Sequence, residues 1–336
     1  MSHFHYSSKR AGLSMTDLNT SKKQVLRLSA HLRTLYQETG DERYQAAAAR
    51  SATCSTYWQG FYCPICNTYH HMHTTGCKHR LCPICAVRAS RVVARQATEA
   101  VDYMLSQDAD IRCSLLTLTQ RNVAGEKLSQ EIDSMLAAWQ ALRHLRAFSR
   151  NVIGWARTIE IIPAKDGVSY HPHIHAIIMH KDLGVLAAGA WWARAWCSAM
   201  KLDYFPIVDI RPISDMKGAV YEVSKYVSKL SRVYDGTSRE LDHVRFIGDA
   251  MYQRQLRTYG GAWLKARRAL NMARVEQMDD DSISQYGDML NAEGTCQNCS
   301  TELKAVCLSW AGLTYVVDND FPVQGISVGG LIHASE

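Results

Sequence analysis

The chain has 336 residues, 47% of them hydrophobic, so it can bury a proper core and has room for two domains or one domain with added modules. This composition excludes a disordered or fibrous chain, and the longest apolar stretch, about 185–197, is cut by Arg194 far short of bilayer length, so no membrane partner is expected. The net charge of +6 is modest, but the basic residues cluster, as suits a polyanion or a set of solvated helix faces.

Residues 16–38 show helical periodicity through Leu18, Val25, Leu26, Leu32 and Leu35 behind a cap at Thr16 or Asp17. They make 1–50 a helical N-terminal segment. No apolar run follows a basic start in this stretch, so a cytosolic protein is expected. Eleven cysteines in reducing conditions point to metal-spaced pairs rather than disulfides.

Residues 51–107 are expected to form a zinc-binding module with a basic helix after it. The stretch 54–85 is rich in Cys, His and Thr and has no clear period. Cys63-Pro-Ile-Cys66 and Cys82-Pro-Ile-Cys85 stand fifteen residues apart, the spacing of a tetrahedral structural Zn²⁺ site. Cys77 and His73 are spare candidates, and the spacing leaves open which four of Cys63, Cys66, Cys77, Cys82 and Cys85 bind. Cys54, Cys113 and Cys197 are expected to be buried thiols. A helix over about 87–106 carries Arg88, Arg91 and Arg95, candidates for gripping a DNA backbone.

From residue 112 the texture changes to short strands and longer helices, setting out a domain at 108–275. Leu116 to Thr119 alternate, Ile132, Met135, Leu136, Trp139 and Leu142 recur at helical spacing, and strands are expected over 158–162 and 173–179. Helix over 186–200, an extended stretch at 205–210 and a helix over 215–230 follow. This order predicts an α+β sandwich with helices on one face of the sheet. Asp279, Asp280 and Asp281 then open a linker in 276–336, whose Cys296-Gln-Asn-Cys299 is a half-site for metal, completed by Cys307 or His333.

Two stretches carry the chemistry. In Tyr170-His171-Pro172-His173-Ile174-His175, strand alternation puts His173 and His175 on one face and Ile174 and Ala176 on the other. With Glu160 from the preceding strand, or His171 in its place, they would hold an octahedral Mg²⁺ or Mn²⁺ with open positions for a phosphate oxygen. An exposed strand merely decorated with histidines would show the same alternation.

In the helix over 215–230, Glu222, Tyr226 and Lys229 share one stripe. A phenol there, helped by Lys229 and the metal, would attack a phosphate in line and leave a 5′-phosphotyrosine and a free 3′-hydroxyl, with Glu222 activating a water to end the cycle. A packed tyrosine beside a solvated ion pair would fit the same spacing.

Taken in order, Leu116-Thr-Leu-Thr119, His171-Pro-His-Ile-His175 and Glu222-Val-Ser-Lys225-Tyr226-Val-Ser-Lys229 resemble the three motifs of plasmid rolling-circle replication initiators. These belong to the HUH endonucleases, and the closer likeness is to the branch with one tyrosine and a nearby glutamate. Cys77-Lys-His-Arg-Leu-Cys82-Pro-Ile-Cys85 is similar to a cysteine motif upstream of the catalytic domain in that branch. The resemblance implies a five-stranded antiparallel sheet with the histidines on a central strand, Tyr226 as nucleophile on a covering helix, Glu222 as water activator and His173 and His175 as metal ligands. Lys225 joins the expected DNA contacts. Implied partners are plasmid double-strand origin DNA, single-stranded at the nick, with host helicase and DNA polymerase, in a bacterial cytoplasm, and with a dimer on DNA as one arrangement. An HUH transposase or mobilisation relaxase, and a non-enzymatic zinc DNA-binding protein, are the competing expectations.

Overall fold

The computed structural model describes residues 12–214, 220, 230–272, 295–296 and 298–318. The chain divides into two units, Met1–Arg88 together with Glu276–Glu336, and Ala89–Val275. The first unit is therefore built from both ends of the chain, with the second inserted between them.

In the first unit, α1 (Met15–Thr39) is capped two or three residues earlier than expected. Ser14 is the cap, and Asp17 is its partner in a capping box: the Asp17 amide donates to Ser14 Oγ (3.1 Å) and the Ser14 amide to Asp17 Oδ2 (3.0 Å). The helix ends at Gly40, whose φ of 69° suits glycine. Leu18, Val25, Leu28, Leu32 and Leu35 form its buried stripe, and α2 (Glu42–Thr53) packs against α1 and buries Tyr44, Ala47 and Ala48.

Strands β1 (Tyr57–Cys63) and β2 (Thr68–His73) follow as an antiparallel hairpin. The other edge of β1 pairs with β9 (Lys304–Trp310), which pairs in turn with β10 (Tyr315–Val317), giving the order β10-β9-β1-β2. The aperiodic stretch 54–85 thus contains a sheet. A register shift between Gln59 and Phe61 breaks the alternation that would have announced β1.

The second unit contains α3 (Pro83–Gln107) from Ala89 onward, then β3 (Arg112–Thr119), β4 (Val123–Ala124), α4 (Gly125–His144), α5 (Arg146–Asn151), β5 (Gly154–Pro163), β6 (Ser169–His180), α6 (Gly189–Met200), β7 (Val208–Pro212), α7 (Glu240–Met251), β8 (Arg257–Gly261) and α8 (Ala262–Ala269). Its sheet is antiparallel, in the order β7-β3-β6-β5-β8, and the two-residue β4 makes a sixth strand by pairing with the start of β6. Pro172 is tolerated inside β6 because β4 covers Ser169 and Tyr170 while β3 starts pairing at His173, so that edge has no ladder bond to lose at Pro172.

Helices cover both faces of this sheet, not one as expected. On one face, Ala156, Ile177, Met179 and Leu115 pack with Ala97, Val101 and Met104 of α3 and with Trp263 and Ala266 of α8. On the other, Trp155 of β5 meets Trp139 of α4 with ring centroids 5.3 Å apart, and Phe148 of α5 bridges Trp139 to Trp192 of α6. Trp155 also lies so close across β8 that a Cβ on Gly260 would meet its indole. Burial on both faces explains why all ten residues of β5 are buried.

Candidate functional site

The register of β5 against β6 sets Glu160 opposite His173 and Thr158 opposite His175. In an antiparallel pair, opposite residues project to the same side. His173, His175 and Glu160 therefore share one face, and all three are buried. Glu160 Oε2 lies 2.9 Å from His173 Nε2 and 3.3 Å from His175 Nε2.

The outer nitrogens of both rings are also engaged. His173 Nδ1 faces the His171 carbonyl at 3.4 Å, and His175 Nδ1 faces Thr117 Oγ1 at 3.2 Å. A carbonyl only accepts, so His173 Nδ1 is the donor, which leaves Nε2 either a lone pair free for a metal or, in the imidazolium, a donor to Glu160. Lone pairs on Nε2 and on a carboxylate at 2.9 Å repel unless a cation, proton or metal, sits among them. Burial alone would raise the Glu160 carboxyl, but the hydrogen bonds and charges of His173 and His175 hold it well below the ordinary carboxylate range. Two nitrogens and one oxygen within 4.8 Å of one another form a donor set suited to a divalent ion.

His171 stands apart from this group. It lies opposite Ile162, its Nδ1 is 3.1 Å from Asn122 Oδ1, and burial followed by the charge of His173 lowers its pKa.

The same sheet face carries polar groups that the sequence did not single out. Arg257, Thr158, His175, Thr117 and Asp209 stand in one row across five strands. Among the described residues, Arg257 Nε and Nη2 and Thr158 Oγ1 in this row are buried without a hydrogen-bond partner, a costly state that a bound anion would relieve. Nothing in the local pattern of β8 marks Arg257, and only the cross-strand register reveals it.

Tyr226, Glu222, Lys225 and Lys229 lie outside the described residues. Val220 is described: it is helical and buried in the core with Ala156, Ile177 and Met179, on the histidine side of the sheet. On α3, Arg95 is held by Glu99 in an i,i+4 pair at 2.7 Å, and Arg88 and Arg91 are half-buried.

In the first unit the cysteines form two groups, not the one expected. Cys54, Cys77, Cys82 and Cys85 come together in one, and Cys63, Cys66, Cys296 and Cys299 in the other, each with its sulfurs within 4.8 Å. The hairpin explains the regrouping. Cys63 and Cys66 sit at its turn, whereas Cys54 enters and Cys77 leaves at its open end. The seven residues of β1 hold those ends roughly 20 Å apart. Cys54, expected as a buried bystander, is a member of the first group, and the partners of Cys296 and Cys299 are Cys63 and Cys66. Cys307 lies within β9 opposite Gln59, and His333 is outside the described residues. Cys113 is a buried free thiol and Cys197 a partly buried one.

Inside the first group, Cys54 Sγ is 3.7 Å from both Cys82 and Cys85, and Cys77 Sγ is 3.8 Å from Cys85. Hydrogen bonds from Cys54 and then Cys82 pull the Cys77 thiol far down, while burial pushes Cys82 up. Crowded sulfurs resist ionising together, and a dication would allow all four to ionise. Lys22 of α1 is buried next to this group and donates to the Cys54 carbonyl at 2.6 Å. Burial lowers its pKa, and the nearby sulfurs of Cys54, Cys82 and Cys77 oppose that effect.

Fold and sites together define a mixed α/β protein with antiparallel sheets, two four-thiol clusters able to hold a metal such as zinc, and a separate His-His-Glu group. The chain belongs to the replication protein family, which it matches over residues 68–311. It is 30% identical over 298 residues to a protein rep from Bacillus amyloliquefaciens, covering 81% of this chain and 87% of that one. A protein rep from a Bacillus species is 31% identical over 278 residues, covering 75% and 90%. One from Streptococcus pneumoniae is 31% identical over 216 residues, covering 60% of this chain and 66% of its own length. No solved structure matches the chain. Among the described residues no helix is long and apolar enough to cross a membrane.

Proposed function

We propose that this chain is a plasmid rolling-circle replication initiator of the HUH type, a tyrosine endonuclease that nicks one strand at the double-strand origin and later rejoins or releases it. The observation that carries this reading is the carboxylate of Glu160 set between the Nε2 atoms of His173 and His175, within a member of the replication protein family. An Mg²⁺ or Mn²⁺ held by these three residues would supply Lewis acidity to a phosphate oxygen. The donor set fits such an ion, since its three protein ligands leave positions open for substrate.

The protein's own groups do the rest. The phenol oxygen of Tyr226 attacks phosphorus, the bond from phosphorus to the 3′-oxygen breaks, and that oxygen takes a proton to become the primer end. The 5′-phosphotyrosine keeps the phosphodiester energy, so rejoining needs no ATP. Lys229 favours the phenolate over a phenol whose ordinary pKa is about 10. Glu222 deprotonates the water that ends the cycle by hydrolysis. Arg257, in the row of His175 and with Nε and Nη2 unpartnered among the described residues, holds phosphate oxygens of the bound strand. The burial of Val220 on the histidine face, six residues before Tyr226, supports a nucleophile arriving from that side.

Incubation with Mg²⁺ or Mn²⁺ is expected to convert supercoiled plasmid carrying the cognate origin to open circle, with a covalent protein–DNA adduct. Tyr226→Phe is expected to abolish both, and full cleavage by that variant overturns the assignment. Glu222→Ala is expected to nick normally and to fail in releasing the terminated product.

A further inference from the structure

We propose that Cys63, Cys66, Cys296 and Cys299 bind a zinc ion of their own, separate from an ion at Cys54, Cys77, Cys82 and Cys85, and that this second ion clamps the segment entering β9 onto the turn between β1 and β2. The spacing of the sulfurs is the first argument. Cys63 and Cys299 are 3.5 Å apart and Cys66 and Cys296 are 3.8 Å apart. A tetrahedron with zinc–sulfur arms of about 2.3 Å has edges of about 3.8 Å. A disulfide would need sulfurs at about 2.05 Å.

The backbone supplies an independent argument. Cys63-Pro-Ile-Cys66 is followed by Asn67 at φ 53°, and Cys296-Gln-Asn-Cys299 by Ser300 at φ 57°. Non-glycine residues seldom take this left-handed conformation, yet both Cys-x-x-Cys loops end in it. The Cys66 amide points at Cys63 Sγ, 3.4 Å away, and Thr301 Oγ1 accepts from the Cys299 thiol at 3.2 Å and can donate back through its own hydrogen once that sulfur is a thiolate. Contacts of this kind stabilise thiolate ligands from outside the metal shell. Cys63 and Cys296 are buried with Phe61 and Leu303 in a small apolar cluster, against which Cys66 and Cys299 pack. Two matched loops thus present four soft ligands around one point, a closed shell that leaves no position for substrate and suits a structural, redox-inert ion.

The topology gives the ion its task. Cys63 and Cys299 are 236 residues apart in sequence, and the first unit consists of two chain segments. β9 reaches β1 with Lys304 opposite Tyr62, right beside the hairpin turn. The clamp fixes the register at which the returning segment joins the sheet, because a slip would carry Cys296 and Cys299 away from Cys63 and Cys66. It also offsets the entropy of closing so long a loop.

The test uses the full chain purified under reducing conditions. A mercurial thiol reagent is expected to release two equivalents of zinc per chain, a count blind to any ion on the His-His-Glu group. Under stepwise chelation, alkylation mapped by mass spectrometry is expected to expose Cys63, Cys66, Cys296 and Cys299 together, in a step distinct from Cys54, Cys77, Cys82 and Cys85. Cys296→Ser with Cys299→Ser is expected to release one equivalent while Cys54, Cys77, Cys82 and Cys85 stay protected. Release of a single equivalent from the unaltered chain overturns the proposal. So does free alkylation of Cys296 and Cys299 in the zinc-loaded protein, exposure of Cys63 and Cys66 in step with Cys82 and Cys85, or recovery of the four thiols as disulfides. The unaltered chain decides the matter even where the double variant fails to fold.

Discussion

The thiol clusters of the first unit and the His-His-Glu group of the second solve the same problem, gathering donors around a point, by opposite means. Thiol ligands come from loops and element ends, and four of the eight described non-glycine residues with positive φ (Ser55, Asn67, Lys78 and Ser300) directly follow a cluster cysteine. Backbone there bends to bring four sulfurs together. The histidines and Glu160 instead project from two adjacent strands in regular register, with no bend at any of them. Four ligands close a tetrahedral shell and belong to folding, whereas three on a rigid sheet leave a shell open and belong to chemistry.

Several measurements would break or sharpen this contrast. Glu160→Ala should lower metal-dependent nicking by about 100-fold or more, since an ion contributes several kcal/mol of charge stabilisation in such reactions. Zinc content should not change, and loss of zinc in this variant would erase the distinction between the two kinds of site. EDTA treatment should likewise stop nicking reversibly, with activity restored by Mg²⁺ or Mn²⁺, while stripping the thiol sites should unfold the first unit as judged by circular dichroism. Arg257→Ala is a smaller perturbation: binding of single-stranded origin DNA should weaken, and the slope of log affinity against log salt should fall by about 1.

The smallest expected effect is on pH. Burial lowers the pKa of His180, which is hydrogen-bonded to Ser114, and of His243, hydrogen-bonded to Tyr170. Both are neutral in the folded protein, so their contribution is complete above the unfolded value of about 6.5 and is lost as pH falls through the lower folded values. The urea midpoint should therefore drop on acidification from about pH 7 to pH 5 and stay flat from about pH 7 to pH 8.

How far the sequence could be read follows from the same contrast. Alternation along β6 and the strand texture around Glu160 are local signals, and antiparallel pairing through the short turn at 164–168 converts them into the observed cluster. The cysteine groups depend on pairing between residues far apart in the chain. Cys63-Pro-Ile-Cys66 and Cys82-Pro-Ile-Cys85 are identical tetrapeptides, yet one forms a hairpin turn and the other leads into α3 with its proline at the first helical position. Spacing alone joined them, and β1 holds them apart. Lys22, Thr158 and Arg257 were invisible for a related reason, because each matters through a neighbour supplied by tertiary structure. Helices on both faces were not legible in β5, because its continuous burial includes Arg157, Thr158 and Glu160 and so leaves no unbroken apolar run in the sequence.

The split construction of the first unit has a consequence during synthesis. β1 leaves the ribosome with its β9 edge bare, and at ordinary elongation speeds β9 emerges on the order of ten to fifty seconds later. Throughout that interval the nascent chain carries an unpaired strand edge and the half-assembled thiol group of Cys63 and Cys66, and the second unit is finished only near its end. Premature termination after the second unit would yield a chain with that unit's elements intact but an open sheet edge prone to aggregation.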